Sequence, residues 1–76
     1  NKNLNIEYIF IQLYNTACLY SQKDIIIYLL SVYFEKINQI SQLALRQHFF
    51  YGKHIIKDKT IKTWYSNYVI PIFKIY

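Results

Sequence analysis

The residues best suited to chemistry lie toward the C-terminus. Lys59, Thr60, Lys62, Thr63, Ser66 and Asn67 alternate with Ile61, Trp64, Tyr65 and Tyr68. The apolar four fall at i, i+3, i+4 and i+7, the spacing of one helical face. The polar six then occupy the opposite face, and no carboxylate interrupts them. Hydroxyls and amides can read base edges in a DNA major groove, and ammonium groups can meet phosphates. Lys53, Lys57 and Arg46 lie close in sequence and add cations for the same backbone. An ordinary amphipathic surface helix is the plain alternative, although such helices usually mix Glu with Lys.

The charge balance points the same way. The formal net charge is +5. In residues 1–37, Lys2, Lys23 and Lys36 are offset by Glu7, Asp24 and Glu35, so the whole excess falls in residues 38–76. A basic segment joined to a neutral apolar one fits a polyanion contact on one side of a fold, or lysines that simply keep that side solvated.

Other chemistry finds little support. His48 and His54 are six residues apart, off any helical metal spacing, so no metal or other cofactor is expected. Gly52 is the only glycine, which excludes a glycine-rich phosphate loop. Cys18 is the only cysteine, so no internal disulfide forms, and its neighbours suit a small buried hydrophobe. Nothing pairs it with a histidine for nucleophilic catalysis. The nine tyrosines read as core more than as a base-stacking platform. No secretory signal is visible, and a cytoplasmic location is the expectation. The uncharged runs 8–22 and 25–34 are each shorter than the roughly 20 residues a membrane span needs, so both are read as buried helices rather than as membrane segments.

Seventy-six residues make a single domain, and one Gly with one Pro leaves few hairpin turns, so the expected fold is all-α: a small bundle of about four helices. Residues 1–37 supply supporting helices, 38–71 a helix-turn-helix and 72–76 a tail. The first helix covers residues 4–20, capped by Asn3, with Ile6, Ile9, Phe10, Leu13, Tyr14 and Ala17 as its buried stripe. Ser21 to Asp24 has the spacing of a capping box and opens a second helix, about 22–36, apolar nearly all round and therefore expected at the centre. Ser41 is expected to cap a third helix, about 42–51, that buries Leu43, Leu45, Phe49 and Phe50 and stops at Gly52. Asp58 is expected to cap a fourth, about 59–69, that Pro71 ends. The spacing shows no convincing internal repeat.

Order and spacing from Asp24 to Pro71 resemble the N-terminal helix-turn-helix segment of bacterial and archaeal insertion-sequence transposases of the DDE class. The matching pieces are Asp24-Ile25-Ile26 with Tyr33, Ile40-Ser41 with Leu45, Gly52, then Thr60-Ile61-Lys62-Thr63-Trp64 with Tyr68, and Pro71. They cover about two-thirds of the chain. The resemblance implies recognition of a mobile element's ends, with the fourth helix in the major groove. It implies double-stranded DNA as partner, homodimerisation as an option, and no membrane. The family's zinc-ribbon cysteines and its catalytic domain have no counterpart here, so the segment is expected to be no enzyme and to represent a truncated, decayed or excised transposase. Trp64-Tyr65-Ser66-Asn67 is also similar to a homeodomain recognition core, without the arginines that follow it there. Ala17 through Leu30 resembles the helix pair of a degenerate ankyrin repeat. That second resemblance implies a protein-interaction module and a stack of helix pairs.

Overall fold

The computed structural model describes residues 6–74. Among these it shows helices only: α1 (Ile6–Leu19), α2 (Lys23–Lys36), α3 (Gln39–Ile55) and a last helix that begins as α4 (Lys59–Trp64). That helix runs without a break through a π-helical turn, Tyr65–Val69, into α5 (Ile70–Phe73). The expected all-α bundle of four helices is what forms. Asn3, the expected cap of α1, lies outside the described residues. No helix among those described is long and apolar enough to cross a membrane.

The helices form two stacked pairs. Glu7 meets Ser41, Tyr14 meets Phe49, and Cys18 meets Gly52, so α1 and α3 run side by side in the same direction at an offset of 34 or 35 residues. The Lys23 ammonium lies over the Trp64 ring and Phe34 stacks on Phe73, so α2 and the last helix are also parallel. Within the second pair the contacts run in opposite directions. Tyr65 Oη lies against Gly52, and farther along the last helix the Phe73 carbonyl accepts a hydrogen bond from Arg46.

Phe49 is the hub. Its ring centroid is 4.8 Å from Tyr14, 4.6 Å from Tyr33 and 4.2 Å from Phe73. The first two separations fall in the range where edge-on aromatic pairs add attraction beyond simple burial, and Phe73 stacks closer still. Side chains from α1, α2 and the last helix converge on that single ring of α3, so truncation of Phe49 to Ala would remove about 3–5 kcal/mol.

Several expectations change at this level. The helix expected to stop at Gly52 continues to Ile55, and Gly52 is buried within it. A methyl carbon built on Gly52 would stand 2.8 Å from Tyr65 Oη and 3.2 Å from Cys18 Sγ, so the glycine admits close packing instead of ending a helix. Ser41 is not the cap of α3. Asn38 caps it by accepting from the Ser41 amide at 3.0 Å, and the Ser41 hydroxyl donates to Glu7 at 2.6 Å. The expected capping box at Ser21 is absent, because Gln22 occupies the cap position and makes no side-chain bond there. Ser21 instead closes α1 with a φ of 52°. Its amide donates to Cys18 O and the Gln22 amide donates to Ala17 O, the paired bonds of a Schellman ending.

Pro71 does not end the last helix. The wide π turn lets the Ile70 amide reach back five residues to Tyr65 O, and the proline, which has no N–H, sits within the next turn. The same turn shifts the buried line. Tyr65, Val69 and Phe73 face the core, whereas Tyr68, expected there, is exposed. Phe73 belongs to the core and not to a trailing tail. α2 is not a central helix, because Ile25, Ile27, Tyr28 and Phe34 remain exposed while only Ile26, Leu29 and Tyr33 are buried. Ile6, Ile9 and Leu13 on α1 and Leu43 on α3 are likewise exposed.

Candidate nucleic-acid interface

The connection between α3 and the last helix is three residues long, Ile56, Lys57 and Asp58. Ile56 is buried and anchors it. Gly52 is therefore no part of the turn between the last two helices. Asp58 caps α4 as expected, its Oδ1 accepting from the Ile61 amide at 3.0 Å. That bond turns the carboxylate back onto its own helix, so it intrudes little on the polar face that follows.

Beyond this cap, Lys59, Thr60, Thr63 and Asn67 are exposed, while Lys62 and Ser66 are half-buried. Ile61 and Trp64, on the other flank, are half-buried against the core and Tyr65 is fully buried. The last helix thus presents a carboxylate-free outer face along its first two turns, held in place by the aromatic residues beneath.

Cations collect at one end of the bundle. Lys53 lies in the last turn of α3, Lys57 in the connection, and Lys59 and Lys62 in the first turns of α4. The α1–α2 turn belongs to the same end, since Ser21 Oγ accepts from the Asp58 amide at 3.4 Å. Lys23 follows that turn, its ammonium 5.0 Å from the centre of the Trp64 ring. Lys23 is a further candidate at this end of the bundle. No spacing marks it, because the contact with Trp64 exists only once the two helix pairs are stacked. Five lysines face Asp24 and Asp58 at this end, and two helix-to-helix turns hold them together. Such a cluster attracts polyanions at long range and falls off with salt.

Arg46 does not join the cluster. It projects from α3 toward the end of the chain and donates to Phe73 O at 2.6 Å. The helical run from Lys59 to Phe73 separates the two places by about 20 Å at 1.5 Å rise per residue. Arg46 lies instead beside Tyr33, Phe34, Gln42 and Leu43 in a shallow groove of about 370 Å³. Burial raises the Tyr33 phenol above its ordinary value, and the nearby Arg46 guanidinium partly offsets this. Gln42 shapes the groove by donating to the carbonyls of Tyr33 and Ile37, both at 2.8 Å.

The interior carries a second polar arrangement. Tyr65 Oη donates to Phe49 O at 2.6 Å, and Tyr14 Oη bonds to Tyr65 Oη. Burial raises both phenols, and it pushes the Cys18 thiol up to about 12. None of the three is exposed, so they stay protonated at neutral pH and act as packing and hydrogen-bonding groups. Among the described residues no three His, Cys, Asp or Glu side chains gather in a way that could hold a metal ion. Comparison with protein-family models, with curated proteins and with solved structures finds no match to this chain.

Proposed function

We propose that the chain binds double-stranded DNA through the lysine-rich end of the bundle, with the first two turns of the last helix laid against the groove. The observation that carries the reading is the concentration of Lys23, Lys53, Lys57, Lys59 and Lys62 around two adjoining turns, next to a polar helix face without a carboxylate. Lys57 and Lys59 are free to meet phosphates, and Thr60, Thr63 and Asn67 offer hydroxyl and amide groups to base edges. Lys62, Ser66 and Lys53 flank these from half-buried positions, and Arg46 lies outside the contact. The order of motifs between Asp24 and Pro71 supports reading this as the DNA-recognition part of a transposase, without catalysis of its own.

The test compares the two ends of the bundle by fluorescence anisotropy on a labelled duplex. Replacement of Lys57, Lys59 and Lys62 together by Gln is expected to weaken binding at least tenfold. Replacement of Lys36 and Lys74, at the far end, is expected to change it less than twofold. Equal losses from the two sets would remove the reading.

The side-by-side stacking of two helix pairs, at an offset close to the 33 residues of an ankyrin repeat, favours a second reading as a protein-interaction module. In that case the groove beside Arg46 or an open helix face takes a protein, and the lysine replacements leave that partner bound.

A further inference from the structure

The groove beside Arg46 holds a charge that no acidic side chain answers. Arg46 is half-buried, and among the described residues its guanidinium bonds to a neutral group, Nη2 donating to Phe73 O at 2.6 Å. The chain has four acidic side chains, Glu7, Asp24, Glu35 and Asp58. Asp24 and Asp58 lie at the opposite, lysine-rich end. Glu7 accepts from Ser41, and Ser41 stands five residues from Arg46, about 140° around α3. Glu35 follows Tyr33 by about 200° around α2, so it points away from α3, toward which Tyr33 is turned. Lys36 and Lys74, at the same end as the groove, only add to its positive potential. Partial burial of a cation has a desolvation cost that one carbonyl offsets in part, and a carboxylate would complete the pairing.

We propose that this groove binds a small organic carboxylate with an apolar body, the carboxylate forked on Arg46 and the body laid along Phe34, Leu43 and Ile72. The free donors select the anion. Gln42 Nε2 is engaged by the carbonyls of Tyr33 and Ile37, and the Tyr33 hydroxyl donates to Gln42 O at 2.7 Å. The guanidinium fork and the Gln39 amide remain. One planar fork matches the two oxygens of a carboxylate, whereas a phosphate dianion calls for several donors or a helix N-terminus aimed at it. The walls select the body. Phe34 is 51%, Leu43 72% and Ile72 46% exposed, and Phe34 stacks on Phe73 with ring centres 5.8 Å apart. Apolar walls around a single placed charge, in a space of about 370 Å³, fit a small molecule. The site stands independently of the DNA reading, since it lies at the other end of the bundle.

Titration of the isotope-labelled full chain with 4-phenylbutyrate, followed by NMR, tests it. Saturable shifts are expected at Arg46 Nε and in the amides around Phe34, Leu43 and Phe73. 4-Phenylbutanamide, which lacks the charge, and inorganic phosphate, which lacks the apolar body, are each expected to bind at least tenfold more weakly. Arg46→Gln is expected to weaken 4-phenylbutyrate at least tenfold with the helical circular dichroism retained. Lys57→Gln, at the lysine-rich end, is expected to leave it unchanged. Should Arg46→Gln fail to fold, Leu43→Glu decides: it sets a carboxylate on an exposed wall beside the guanidinium and is expected to cause a loss at least as large. Equal binding of acid and amide overturns the proposal, because the groove then reads no charge. So does phosphate bound as tightly as the acid, or no saturation in the millimolar range. Tighter binding of the peptide Ala-Ala-Phe with a free C-terminus overturns it in favour of a protein partner, and displacement of the probe by duplex DNA overturns it in favour of a second nucleic-acid contact.

Discussion

Tyr65 donates its hydroxyl proton to the Phe49 carbonyl, which leaves its oxygen to accept from Tyr14. A carbonyl cannot donate, so the direction of both bonds is fixed, and a chain of hydroxyls links α1 through the last helix to α3. The two tyrosines are therefore unequal. Tyr65→Phe strands a buried Tyr14 hydroxyl and is expected to cost about 1–3 kcal/mol, while Tyr14→Phe leaves the Tyr65 donor satisfied and costs about 0.5–1.5 kcal/mol. The double variant should cost less than the sum. Urea denaturation of the three variants measures this, and equal, additive losses would contradict the assigned direction.

The same groups set a limit in alkali. Burial raises Tyr14, Tyr65 and Cys18, so the folded chain keeps protons that the unfolded chain releases. With fewer protons on the unfolded state, stability falls as pH rises. It is fully present below the ordinary thiol value of 9.0 and declines from there through the Cys18 value of about 12. The decline approaches about 1.4 kcal/mol per pH unit for each group whose unfolded form has ionised. Thermal melts followed by circular dichroism should be flat in this respect between pH 7 and 8.5, and the midpoint should fall steadily from pH 9 to 11. Tyrosinate absorbance near 295 nm should show Tyr14 and Tyr65 ionising only with unfolding.

Gly52 sits where helix propensity and packing conflict. Alanine would gain about 1 kcal/mol of propensity in mid-helix. Its methyl carbon would press on Tyr65 Oη at 2.8 Å, and that atom is pinned by bonds to Tyr14 and Phe49. Overpacking at a pinned site costs about 1–3 kcal/mol. Gly52→Ala is expected to be destabilising, by up to about 2 kcal/mol in chemical denaturation. A more stable variant would mean that Tyr65 can move aside.

Ser21 presents the opposite case, a side chain where glycine fits better. Its φ of 52° is left-handed, and the Schellman bonds around it require that conformation. Ser21→Gly relieves the strain at the loss of a long bond to the Asp58 amide, 3.4 Å. The expected outcome is a gain of about 0.5–1 kcal/mol, read as a higher denaturation midpoint with an unchanged slope.

The helix count, the Asp58 cap and the burial of Phe49, Leu45 and Tyr65 were legible in the sequence, because each depends on residues close together along the chain. Gly52 was misread because glycine marks a helix end and a close approach equally well, and only Tyr65, thirteen residues on, decides between them. Pro71 and Tyr68 were misread for a common reason. The π turn lets the helix pass the proline and keeps residues four apart on one line, so Val69 replaces Tyr68 in the core. On α1, Ile9 and Leu13 compete with Phe10 and Tyr14 for the core, and the choice rests on where α3 packs. On the last helix and the connection before it, Lys57, Lys59, Thr60, Thr63 and Asn67 are exposed as expected. Arg46 was grouped with them on sequence proximity, and a packed Phe73 carbonyl draws it to the other end.

The salt dependence of duplex affinity is the most direct measure of the central claim. If four lysines at the α3–α4 end meet phosphates, the logarithm of the association constant should fall against the logarithm of salt concentration with a slope of about −3 to −4. The Lys57, Lys59 and Lys62 replacements together should reduce that slope by nearly three. A slope near zero, or one that the replacements leave unchanged, would contradict DNA binding through this end of the bundle.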